Sequence, residues 1–144
     1  MTISLDLADR IIAAARKKGR DLGLAPLTVV VLDPGGHMVA LAREDGSGIA
    51  RVEIATGKAW GALGIGAGSR VLFDRWKAGG EGFVTALAAA TGGRMIPVPG
   101  GVLALDDAGK VAGAVGISGD TSDNDEACAI AGIEAVGLTA RPGG

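Results

Sequence analysis

The sequence predicts a mixed α/β domain whose sheet is assembled from hairpins far apart in the chain, with helices between them. Residues 28–43 read TVVVLDPGGHMVALAR, a β-branched run that meets Asp33-Pro34-Gly35-Gly36 and turns back into a second apolar run. Residues 96–119 read IPVPGGVLALDDAGKVAGAVGISG, with Asp106-Asp107-Ala108-Gly109 as a compact polar turn between two strands. A long segment of helical character separates these stretches. Turns of this kind leave polar residues at strand ends, where sites are usually built.

Taken in order, Ser4 is placed to cap a first helix, along which Leu5, Ala8, Ile11, Ile12, Ala15 and Leu22 recur at three- and four-residue spacing. Gly23 and Pro26 end it. Strands are expected at residues 27–32 and 38–43, followed by a polar loop at 44–48. A helix over 50–64 sets Ile54, Lys58 and Ala62 along one line, with Glu53 and Gly57 beside it, so Glu53 and Lys58 are read as neighbours on the surface. After a glycine-rich break, residues 70–76 and 82–90 read as further helices, and Thr91-Gly92-Gly93 stops the second. Strands follow at 94–97, 101–105 and 110–118. The last helix, 122–136, opens on Asp123, Asp125 and Glu126, which suits the positive end of a helix dipole. Residues 139–144 read as a frayed tail.

Composition narrows the function. The 144 residues are 48% hydrophobic with a net charge of -2, as expected of one soluble domain with a real core. Fourteen Lys and Arg against sixteen Asp and Glu create no basic field, so nucleic acid is not an expected partner. Asp6 and Asp9 interrupt the N-terminal apolar stretch, which is therefore not read as a signal peptide, and no run is long enough to span a bilayer. Cys128 is the only cysteine, consistent with a reducing cytoplasm. The 26 glycines far exceed the usual share of about 7%. Gly61, Gly64, Gly66 and Gly68 predict close approach of another helix or a second subunit, and hence a homo-oligomer. Only Trp60, Trp76, Phe73 and Phe83 are aromatic, too few for a stacked ligand cage, and they are expected in the core or at subunit contacts.

Several blocks in the same order resemble the GlcG/HbpS-like family, which is related to the C-terminal domain of PduO-type proteins. They are VVVLDPGGHMVALAREDG, the pair Lys58-Ala59, PVPGGVLALDDAGKVAGAVGISGD and the acidic helix opening NDEACAIAGI. The resemblance covers nearly all of residues 1–144 as a single domain. It implies an α+β, profilin-like architecture with a five-stranded antiparallel sheet flanked by helices, a homo-oligomer, and haem as the best-known ligand. Fold likeness does not by itself transfer an activity.

His37 is the only histidine and the residue to set against a haem iron, the alternative being an ordinary hairpin histidine. One His and one Cys cannot supply a structural zinc site. The resemblance places Lys58 at the family's lysine-alanine pair. In an apolar helix its amine is suited either to neutral-amine chemistry or to a structural ion pair, with Glu53, Asp33, Asp125 and Glu126 as carboxylate partners. Arg43 can hold a carboxylate by a two-point contact. Gly100 and Gly101 offer backbone that a ligand or a subunit can approach. No segment matches a phosphate loop and no catalytic triad can be drawn. The expected ligand-binding set is thus Asp33, His37, Arg43, Lys58, Gly100, Gly101, Asp125 and Glu126, with His37 on the iron.

Two functions follow. One is a small-ligand-binding protein for haem or a related tetrapyrrole, in a homo-oligomer. The other is a cofactor-independent isomerase, hydratase or lyase acting on a small organic acid, with Lys58 or Glu53 moving a proton and Arg43 fixing the substrate.

Overall fold

The computed structural model describes residues 1–144. Helix α1, Leu5–Asp21, starts where Ser4 Oγ accepts the Leu7 N–H at 3.2 Å and buries Ala8, Ile11, Ile12 and Ala15 along one stripe. Strands β1, Thr28–Leu32, and β2, Met38–Arg43, form the first hairpin. Helix α2, Arg51–Ile65, ends on Gly66 in the left-handed region. Helix α3, Arg70–Arg75, is followed by a kink at Gly79, whose φ is +93°, and then by helix α4, Glu81–Ala90. Strands β3, Gly101–Leu105, and β4, Val111–Ser118, precede helix α5, Ser122–Ala135, and the short strand β5, Thr139–Arg141.

The sheet runs β2-β1-β4-β3-β5 and every pairing is antiparallel. It is an α+β fold with helices on both faces, as expected. Alternation along β1 sends Val29 and Val31 to a core shared with α1 and α5, and Val30 and Leu32 to a smaller core under α2. In β4 the register slips by one residue opposite Ala104 and Leu105, a bulge that turns both Ala112 and Val115 toward the larger core although they lie three apart.

Helix α2 sits unusually low on its face. Gly101 and Gly116 are register partners on β3 and β4, and a Cβ on either would collide with the α2 carbonyls of Lys58 and Ala55. Glycine there removes the layer of side chains that normally separates helix from sheet. The other side of α2 is crossed by an extended segment, with Ile96 against Gly57 and Met95 against Gly61 and Gly64, and the Pro142 backbone lies on Gly68. The close approach predicted from the glycines is therefore made within the chain, by its own sheet and connecting segments.

Two expected elements differ. Residues 94–97 form no strand; Ile96 donates to Gly57 O at 3.2 Å and the segment follows the helix, because Pro97 and Pro99 lack the donors that a ladder needs. The fifth strand comes from the tail expected to fray. Arg141 pairs Leu103, and Ala140 pairs Ala104, once Leu138 is buried.

Candidate functional site

The expected site residues separate into distinct groups. Lys58 leaves α2 toward the sheet and is almost wholly buried. Its Nζ donates to Ile117 O at 2.9 Å and to Asp125 Oδ2 at 3.1 Å. Asp125 lies in the first turn of α5 and its other oxygen accepts the Asp120 N–H at 2.9 Å. Gly100 leaves room for the amine, since a Cβ there would stand 2.9 Å from Nζ. Burial pushes the Lys58 amine below its ordinary value, and the Asp125 carboxylate counters part of that fall. Of the partners considered for Lys58, the fold selects Asp125.

Glu53 is not a neighbour of Lys58. Five residues turn an α-helix through most of a half circle, so Lys58 faces the sheet and Glu53 faces solvent. Arg43 lies elsewhere again, donating to Ser47 O at 3.3 Å beside the Thr28–Ser47 hydroxyl pair. Glu126 pairs with Arg70, whose Nε reaches Oε2 at 2.9 Å while Asp123 takes the same guanidinium, which raises the Arg70 pKa. Lys58, Glu53 and Arg43 therefore do not converge on one substrate position.

The β1–β2 turn assembles a second group. Asp33 Oδ1 accepts the N–H of Gly35 at 2.9 Å and of His37 at 3.0 Å, and Gly36 closes the turn with φ of +83°. The His37 Nδ1 lies 3.1 and 3.2 Å from the two Asp33 oxygens, its ring against Gly35. The backbone N–H of His37, followed by its side chain, holds the Asp33 carboxyl below its usual value. No partner occupies His37 Nε2.

Trp60 links this turn to a cleft. Pro34, Gly35, Gly36, Trp60, Leu63 and Gly64 line a recess of about 140 Å³, and Val52, Glu53, Thr56, Gly57, Trp60, Gly93 and Arg94 line an adjoining one of about 330 Å³. The Arg94 guanidinium stacks 4.1 Å above the Trp60 ring and its Nε donates to Thr91 O at 2.9 Å. Trp60, Thr56 and Arg94 are not among the site residues expected from the sequence. Glu53, Thr56, Gly57 and Trp60 stand at i, i+3, i+4 and i+7, a stripe legible in the sequence, but nothing there brings Arg94 to it.

This donor set matches contacts that a tetrapyrrole takes. It offers one imidazole nitrogen without a partner, an indole with neighbouring leucine for apolar contact, and a guanidinium for a carboxylate. The residues fit such a group chemically, while neither recess encloses one whole. No group of three or more His, Cys, Asp or Glu side chains is arranged to hold a bare metal ion, and no helix is long and apolar enough to cross a membrane.

Residues 3–134 match the family model described as haem degrading protein HbpS-like. An uncharacterized 15.0 kDa protein from the dhaT-dhaS intergenic region of Citrobacter freundii is 30% identical over 86% of this chain and 84% of its own length. The crystal structure of Klebsiella pneumoniae protein ORFY superposes with a TM-score of 0.84 at 27% identity, covering 94% of this chain and 91% of that one. A crystal structure of a PduOC:heme complex superposes with a TM-score of 0.85 over 96% of this chain and 97% of that one; at 24% identity this is a likeness of fold.

Proposed function

The chain belongs to the HbpS-like family, and on that premise we propose that it binds haem at the rim of the Trp60 cleft, with His37 as the iron ligand. The observation that carries the reading is the His37 imidazole, held through Nδ1 by Asp33 with no partner on Nε2, in the turn whose Gly35 and Gly36 line a recess together with Trp60. Trp60 and Leu63 supply the apolar surface, and the Arg94 guanidinium receives a propionate. Bound haem would supply one-electron and oxygen chemistry, and the protein's part is to ligate, orient and shield it. The family description and the haem-bound relative of the same fold support this choice of ligand.

The reading includes a homo-oligomer, because a tetrapyrrole outgrows either recess and a second copy would cover what the first leaves open. Helix α4 suits that contact. It is apolar yet buries only Val84, and Phe83 is 52% exposed. Beside it Phe73, Trp76, Pro97 and Val98 line an apolar recess of about 230 Å³. A second copy of this chain is the proposed occupant, and light scattering at micromolar concentration should show an assembly that Phe83→Glu weakens.

Hemin titration of the purified protein tests the ligand. A saturable Soret change at one haem per subunit, lost in His37→Ala and weakened in Arg94→Gln, is expected. Absence of a saturable change, or an unaltered spectrum in His37→Ala, would sink the assignment.

A further inference from the structure

We propose that Asp33 is a positioning residue that sets the proton of His37 and makes the site prefer ferric over ferrous haem; the inference rests on the haem reading above. The carboxylate is placed independently of the imidazole. Two backbone N–H groups, from Gly35 and His37, hold Oδ1 at 2.9 and 3.0 Å, and the turn is closed by the Gly36 N–H to Asp33 O at 2.9 Å. Both carboxylate oxygens then face Nδ1, at 3.1 and 3.2 Å.

The chemistry of that contact is one-sided. A carboxylate only accepts, so the neutral imidazole must carry its proton on Nδ1 and present the lone pair on Nε2. The proton on Nδ1 is shared toward an anion, which makes Nε2 a stronger donor, as carboxylate-histidine pairs do at metal sites. Asp33 has no cationic partner besides His37, and its side chain is 27% exposed against 79% for the imidazole. Its charge therefore acts on the ring. A more electron-rich donor beside a fixed negative charge stabilises the higher iron charge more than the lower one.

Asp33→Asn separates this role from a merely structural one. Asparagine retains an oxygen for the two turn N–H groups, and its amide donates where the second carboxylate oxygen accepted. In the wild-type protein without haem, ¹⁵N NMR of neutral His37 is expected to show the Nδ1–H tautomer, with the proton moved to Nε2 in Asp33→Asn. With hemin, the variant should bind about tenfold more weakly and lose about tenfold in ferric-to-ferrous preference, a rise of about 59 mV in midpoint potential for a one-electron couple. An Nε2–H tautomer in the wild type overturns the inference, whether or not the variant folds. So does an unchanged potential and affinity in Asp33→Asn, which leaves the haem reading standing. If wild-type protein fails to bind hemin, or His37→Ala binds it equally, the haem reading falls and the inference with it.

Discussion

Lys58 Nζ and Asp125 Oδ2 lie 3.1 Å apart with their side chains 2% and 0% exposed, so an amine from α2 clamps the first turn of α5 across the end of β4. The pair brings together two residues of the expected ligand-binding set. Each satisfies the other's charge and one backbone group besides, the Ile117 carbonyl for the amine and the Asp120 N–H for the carboxylate.

Breaking this pair from one side should be severe. Lys58→Met leaves a buried carboxylate without its cation, and a loss of about 3–5 kcal/mol in urea denaturation is expected. The double variant Lys58→Met, Asp125→Leu should be more stable than either single change, because no uncompensated charge remains. A single variant as stable as wild type would show that the pair is not what holds α5 to α2.

The low seat of α2 makes a contrasting prediction for glycines. Gly101→Ala drives a methyl group into the Lys58 carbonyl and should cost about 3 kcal/mol. Gly82, inside α4 with open space around it, should gain about 0.5–1 kcal/mol on replacement by alanine. Thermal melting of the two variants should move in opposite directions.

Acid stability should depend on Asp120. Its carboxylate accepts from Asn124 Nδ2 and from the N–H groups of Ala25 and Thr121, in that order of effect, which pulls its pKa down to about 2. Between about 4 and 2 the unfolded chain takes up this proton before the folded one does. The stabilisation is therefore complete above the unfolded pKa of 3.8 and is lost as pH falls through about 2. Asp120→Asn should flatten that part of the stability-pH curve, measured by denaturation at fixed pH, and leave its slope near neutrality unchanged.

Cys128 should be silent until the protein opens. Burial where α5 packs on α1 at Gly19 pushes its thiol up to about 11. Reaction with a thiol reagent at pH 8 should follow the global unfolding rate. Rapid labelling of native protein would mean that α5 detaches locally.

The turn carrying Asp33 and His37 was legible in the sequence because it is local. Four residues of Asp-Pro-Gly-Gly define the bend, and the contact between Asp33 and His37 spans only i to i+4. The cleft was not legible in the same way. Its α2 stripe of Glu53, Thr56, Gly57 and Trp60 is periodic, yet Arg94 reaches Trp60 only because residues 94–96 follow a helix instead of joining a sheet. Helical spacing predicts Glu53 and Lys58 as surface neighbours, whereas α2 turns one to solvent and the other to the sheet.

By itself the sequence determined the helices with apolar stripes and the two hairpins with their turns, since each depends on residues within a few positions of one another. Tertiary structure decided which carboxylate Lys58 meets, why Gly101 and Gly116 must lack side chains, and that the tail completes the sheet as β5. Those outcomes depend on desolvation and steric fit between segments far apart in the chain. A buried amine takes the one anion that packing brings within reach, and a three-residue strand forms only where an edge is already waiting for it.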